Sequence, residues 1–200
     1  CGNIGDYETE NTARWIGRNA IEKVPYSPLV WAKWISLETE SGNIGNYETE
    51  NTARWIAKKA VENYCSSPIV WCNWILAEEK EGNIGYYNTE YTARWLIKKA
   101  VESCPNSPEV YKTQVDLETK YGVTGDYTKK YSVRWLLKNS VEIFPKRIDF
   151  WREWICFEKA NGNIGNYNTE YTARWIAKKA TETNNYSAKL WKQWYKWILF

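Results

Sequence analysis

Histidine and methionine are absent from this 200-residue chain. Histidine is the side chain whose charge changes most readily near neutral pH, and general acid–base catalysis wants a group tuned to that range. The five cysteines, Cys1, Cys65, Cys72, Cys104 and Cys156, have no evident base to activate a thiol nucleophile. They form no closely spaced pair, so neither a zinc site nor a disulfide scaffold is expected. Cys72 and Cys156 fall in helical stretches, where a small hydrophobe is the expected role. No catalytic residue, metal or cofactor is expected, and the chain reads as a non-enzyme. No apolar run is long enough for a membrane span, and no signal peptide opens the chain. No membrane partner and an intracellular, nuclear-compatible location are the expectation. The missing initiator methionine suggests a processed chain or a piece of a longer one.

Phenylalanine is scarce, with 4 residues against 14 Trp and 15 Tyr. Most of the aromatic surface therefore carries an N–H or O–H handle. At helical spacing inside a repeat, core packing is the expected use of the tryptophans. The net charge is only +3, but it is unevenly spread. Positions 1–121 hold 13 basic and 17 acidic residues, whereas 122–200 hold 14 and 7, a net of +7. The last part is able to attract an acidic partner or a phosphate backbone.

What is present is one 40-residue unit written five times. Gly-Asn-Ile-Gly or a variant begins at Gly2, Gly42, Gly82, Gly122 and Gly162, and Arg-Trp follows at Arg14, Arg54, Arg94, Arg134 and Arg174. Such a period signals a solenoid, in which each unit buries its apolar face on its neighbours. The expected fold is all-α: a single α–α solenoid domain over 1–200, a tetratricopeptide-like superhelix of helix-turn-helix repeats 2–41, 42–81, 82–121, 122–161 and 162–200.

Residues 27 to 66 show the unit. Ser27-Pro28, Ser67-Pro68 and Ser107-Pro108 start the first helix with a capping residue and a preorganised proline. That helix should run from Pro28 to Glu40, with Val30, Trp31, Trp34, Ile35 and Leu37 as its apolar stripe. Gly42, like Gly82, Gly122 and Gly162, ends it in a left-handed turn. Gly45, Gly85, Gly125 and Gly165 mark a second special backbone angle or a close chain approach. The second helix should start between Tyr47 and Thr49 and end near Asn63, burying Ala53, Ile56 and Ala60 and placing Trp55 at an edge.

Two recurring polar sets stand out. Glu38, Glu78, Glu118 and Glu158 each precede a turn, and Arg54, Arg94, Arg134 and Arg174 each lie on the helix that follows. The hairpin is expected to bring each Glu to the next Arg as a structural ion pair, whose guanidinium fork suits a carboxylate. Tyr47, Tyr87, Tyr127 and Tyr167 form a row that either buttresses the loop or faces a partner. A triplet at Asn185-Tyr186-Ser187 matches a glycosylation acceptor, a pattern that arises easily by chance.

The ordered set Trp31, Trp34, Glu38, Gly42-Asn43, Ala53-Arg54, Ile56 and Lys59-Ala60 resembles the half-a-tetratricopeptide (HAT) repeat. Trp71, Trp74, Glu78, Gly82-Asn83, Ala93-Arg94, Leu96 and Lys99-Ala100 repeat it, and Trp151, Trp154, Glu158 and Gly162-Asn163 match again. The stretch from Gly45 to Glu50 departs from it, being about six residues longer than in a family whose relatives have a period of roughly 34. That extra piece has a fainter similarity to Sel1-like repeats. Tyr111 and Gln114 replace the tryptophan pair in one copy. The resemblance implies a scaffold within RNA-processing assemblies that binds protein partners and performs no chemistry.

Two other readings stay open. The chain opens at the turn after a missing first helix and closes on Trp191, Trp194 and Trp197, so its ends look uncapped. A head-to-tail fibre or tube of further copies is one expectation, extracellular if structural, and a fragment of a longer or designed array is another. Lys178, Lys179, Lys189, Lys192 and Lys196 interleave with Trp191, Trp194 and Trp197, a pattern compatible with nucleic acid. The concave side of the first helices is the usual peptide-binding candidate.

Overall fold

A computed structural model describes residues 3–198, with side chains for all but Gln193 and 196–198. Among them are ten α-helices and no strand. They are α1 (Ala13–Lys23), α2 (Pro28–Glu40), α3 (Ala53–Asn63), α4 (Pro68–Lys80), α5 (Ala93–Ser103), α6 (Pro108–Tyr121), α7 (Val133–Ile143), α8 (Ile148–Ala160), α9 (Ala173–Thr183) and α10 (Ala188–Ile198). The helices pack in chain order as hairpins, the arrangement of an α–α solenoid of repeats. The chain divides into two compact units, 1–113 and 114–200. None of the described helices is long and apolar enough to cross a membrane.

In the first unit α2 packs on α1, α3 and α4, and α4 packs on α3 and α5. Ala53, Ile56, Ala57 and Ala60 of α3 are fully buried, the alanines leaving room for the tryptophan-bearing helices. Trp31, Trp34, Trp71 and Trp74 are buried, with rings paired at centroid distances of 6.2 Å in α2 and 5.9 Å in α4. Trp55 is half-buried. In the second unit α8 packs on α7 and α9, and α9 on α10. Leu136, Leu137, Phe150, Trp154, Ile155, Ile176 and Ala180 form its interior. Tyr111 and Gln114, which replace the tryptophans, are both buried at their own places on α6.

The short helices start later than the sequence suggests. Residues 46–52 form a hydrogen-bonded loop, and α3 begins only at Ala53. Asn46 Oδ1 accepts from the backbone N–H groups of Glu48 and Thr49 at 2.9 and 2.7 Å, a local turn that competes with helix. Thr52 then caps α3, its Oγ1 accepting from Trp55 N at 3.4 Å. Ala53 N and Arg54 N donate back to Asn43 O and Ile44 O, which closes the loop on itself. Asn51, just before the cap, has φ +61°, and Tyr91, Tyr131 and Tyr171 take the same left-handed angle in later copies.

Gly45 sits at φ +62°, and a Cβ there would overlap the Thr52 side chain that caps α3. Gly42, at φ +79°, closes α2 in a Schellman turn: Asn43 N donates to Glu38 O and Gly42 N to Thr39 O. Gly122 is the exception among the expected turn glycines. Its N–H donates to Glu118 O at 2.8 Å, so the backbone stays helical there, and Val123 stands where the other copies have asparagine. Ser27 and Ser67 occupy the N-cap positions without a side-chain capping bond, so proline at the first turn does more for α2 and α4 than serine does. Cys72 is half-buried, but Cys156 is exposed on α8 and contributes little to a core.

Candidate functional site

The most constrained chemistry in the molecule is a carboxylate held at the end of each long helix. Glu38, near the end of α2, is fully buried. Arg14 Nε donates to its Oε1 at 3.0 Å and Arg14 Nη2 to its Oε2 at 2.9 Å, a two-bond fork. Asn43 Nδ2 donates to the same Oε2 at 2.7 Å, and Tyr7 Oη donates to Oε1 at 2.6 Å. The guanidinium lies over the Tyr7 ring, 5.7 Å from its centroid. Four donated bonds from three side chains offset the cost of removing the charge from water.

The same clamp recurs. Glu78 is held by Arg54 at 2.8 and 2.6 Å, by Asn83 at 2.7 Å and by the Tyr47 hydroxyl at 2.5 Å. In the second unit Glu158 is held by Arg134 at 2.9 and 2.8 Å, by Asn163 at 2.7 Å and by Tyr127 at 2.6 Å. Asn43, Asn83 and Asn163 also each donate at 2.9 Å to the carbonyl of the left-handed residue, Asn51, Tyr91 or Tyr171. The loop, both helix types and the next turn therefore meet at one carboxylate. Arg94 and Glu118 fall in different compact units; Arg94 Nη1 donates to Gly85 O at 2.9 Å, and Glu118 is buried on α6. Tyr87 is half-buried.

These pairs correct the expected register. Arg54 does not reach back to Glu38; it reaches forward to Glu78, 24 residues later, and Glu38 is taken by Arg14. Likewise Glu158 pairs with Arg134 and not with Arg174. The reason is the α3–α4 hairpin, closed by a short connection, in which the start of α3 lies level with the end of α4. The longer loop after α2 instead delivers asparagine to the glutamate, and its Asn51 carbonyl accepts from that asparagine and from the Tyr7 hydroxyl. Arg174 Nη1 donates to Gly165 O at 3.0 Å, and its guanidinium lies 6.0 Å from the Tyr167 ring centroid; Ile198 stands where earlier copies have glutamate.

Within the tyrosine row, Tyr47 and Tyr127 are engaged at their hydroxyls. Both are half-buried, and besides their carboxylates Tyr47 packs tilted on Tyr91 at 4.5 Å and Tyr127 stacks on Tyr171 at 4.2 Å. Of the basic residues near the chain's far end, Lys178 is half-buried, Lys179 is exposed and paired with Glu182 at 3.0 Å, and Lys189 and Lys192 are exposed. Trp191 is 46% exposed and stacks on Trp194 at 5.2 Å. The side chains of Lys196 and Trp197 lie outside the described residues. Asn43, Asn83 and Asn163 are clamp members that sequence reasoning treated only as turn residues. Their recurrence after each turn glycine was the available signal.

Burial raises the Glu38 carboxyl, but hydrogen bonds from Arg14, Tyr7 and Asn43 outweigh it and hold the group below the ordinary carboxylate range. The phenols of Tyr7, Tyr47 and Tyr127 are pushed well above theirs, by burial first and then by the carboxylate each donates to. Both shifts link stability to pH. Glu38 stabilises the fold above its unfolded value of roughly 4.3, and that share disappears as pH falls through its lower folded value. The phenols stabilise it below roughly pH 10, and their share fades as pH rises beyond that. Phenolate absorbance should therefore show Tyr7, Tyr47 and Tyr127 still protonated at about pH 11, ionising only with loss of helical circular dichroism. Ionisation of all tyrosines in one step with the helices intact would contradict the clamp.

No protein-family model matches the chain, and no curated protein is significantly similar to it.

Proposed function

We propose that the chain is a non-catalytic scaffold that binds protein partners. The observation that supports this is where recurrence and variation fall. The glutamate, asparagine and tyrosine hydroxyl that recur in the three described clamps bond to one another and to Arg14, Arg54 or Arg134. Their polar chemistry is spent on holding the helices together. The first turns of the long helices do the opposite. Leu29, Ile69, Glu109, Asp149 and Lys189 are all exposed, stand at matching positions, and differ in every copy. A fixed interior with a varied exterior suits recognition of a particular partner by a stiff frame. The HAT-like pattern extends the proposal to an RNA-processing assembly as the setting.

Selection of random displayed peptides against the folded protein tests this reading. Sequences that enrich over an unrelated helical repeat protein, and whose binding drops when Leu29, Ile69 or Glu109 is changed to alanine, are expected. Failure of any peptide to enrich would overturn it.

A further inference from the structure

One recurring set does not turn inward. Trp15, Trp55, Trp95, Trp135 and Trp175 on the short helices are all half-buried, and a basic residue follows three positions later in each copy. In the second unit Lys138 and Trp175 of this set border a groove of about 180 Å³ between α7 and α9. Its floor is Trp151 and Trp154 of α8, and its walls carry Lys138 and Glu142 on one side and Trp175 and Lys179 on the other. The Lys138 ammonium lies 5.4 Å from the Tyr171 ring centroid, and that of Lys179 lies 5.9 Å from the Trp175 ring centroid.

We propose that this groove docks an extended acidic peptide. One aromatic or aliphatic side chain of the peptide enters the cavity over Trp151 and Trp154, and flanking carboxylates meet Lys138 and Lys179. The proposal rests on the scaffold reading and specifies a partner chemistry and a place for it. Charge complementarity selects the occupant. Residues 122–200 carry a net +7, and a lysine stands on each wall of an aromatic-floored slot. Lys138 lies 3.8 Å from Glu142 and Lys179 3.0 Å from Glu182, partly exposed pairs weak enough for a peptide carboxylate to replace. A single-stranded nucleic acid fits less well. Base stacking needs an open ring face, and here the Tyr171 and Trp175 faces already carry ammonium groups, with Glu142 on the rim. The surface is also not the varied face of the long helices, so it offers a second point of attachment.

Fluorescence anisotropy with the full chain tests it. The probe is a labelled short peptide with one phenylalanine between acidic residues. Controls are the same peptide with glycine for phenylalanine, with glutamine for the acids, and an oligouridylate. Saturable binding is expected. Lys138→Gln with Lys179→Gln should weaken it about tenfold, as two partly exposed ion pairs allow. Each altered peptide should lose a similar factor, while the circular dichroism of the variant stays native. Absent binding, equal affinity for the variant, equal affinity without phenylalanine, or tighter binding of the oligouridylate would each overturn the site. If displayed peptides enrich but the acidic phenylalanine peptide binds the double variant as well as the native chain, the groove is wrong and the scaffold reading stands. If none enrich at all, the broader reading fails first.

Discussion

Glu78→Ala should lower the chain's thermal midpoint by about 10 °C, a loss expected of the clamp glutamates and of few other polar positions. The carboxylate is fully buried and accepts from Arg54, Asn83 and Tyr47. Removing it strands a guanidinium that is only 21% exposed, together with two further donors. Breaking one side of a buried ion pair costs about 3–5 kcal/mol. For a chain of this size each kcal/mol moves the midpoint by about 2–4 °C. Glu50→Ala, a similar change at an exposed site in the same unit, should move it by less than about 2 °C. The double variant Arg54→Met, Glu78→Leu supplies the sharper test. Asn83 and Tyr47 still lose their acceptor, but no guanidinium is left stranded, so it should be more stable than Glu78→Ala alone. Calorimetry showing equal loss for Glu78→Ala and Glu50→Ala would remove the clamp from its central place.

Gly45→Ala should cost about 3 kcal/mol, and Gly42→Ala only about 1 kcal/mol. Both glycines have positive φ, so both substitutions incur the left-handed penalty. The surroundings separate them. A Cβ at Gly42 meets nothing, whereas at Gly45 it overlaps Thr52, whose hydroxyl caps α3. Relief requires moving the Thr52 side chain, which loses a cap worth about 1 kcal/mol and disturbs the bonds from Ala53 and Arg54 that close the loop. Urea unfolding of the two variants reads the difference directly. Equal midpoints would mean that the loop yields freely, contrary to the packing described.

The architecture was legible because its causes are local and repeated. Apolar residues at helical spacing, proline at the first turn of α2 and α4, and glycine after it are read directly from the chain, and the bounds of α2 follow from them. Burial of Ala53, Ile56 and Ala60 follows from the same spacing. The start of α3 was misread because Tyr47 to Thr52 has no strong helix breaker. Its loop conformation comes from the Asn46 side chain bonding two backbone groups, and from a left-handed Asn51 that composition does not announce. The Gly122 turn was misread because glycine permits a left-handed angle without requiring it.

The candidate site was half legible. The sequence named glutamate and arginine as partners, yet the chosen register joined each glutamate to the wrong arginine. Recurrence says that two residues matter in every copy; it does not say which copies of them touch. Glu38 has both Arg14 and Arg54 available at one-repeat offsets, and only the hairpin geometry selects Arg14.

By itself the sequence determined the all-helical repeat class, the positions that go inside, and the types of residue that carry the buried polar work. Periodicity of apolar and special residues dictates these, since each copy must bury the same stripe. The tertiary structure alone decided the register of the clamps, the enlistment of Asn43, Asn83 and Asn163, and the groove that α7 and α9 leave over Trp151 and Trp154. Those depend on how far each loop carries the chain before the next helix begins, a distance set by three-dimensional packing and written in no single residue.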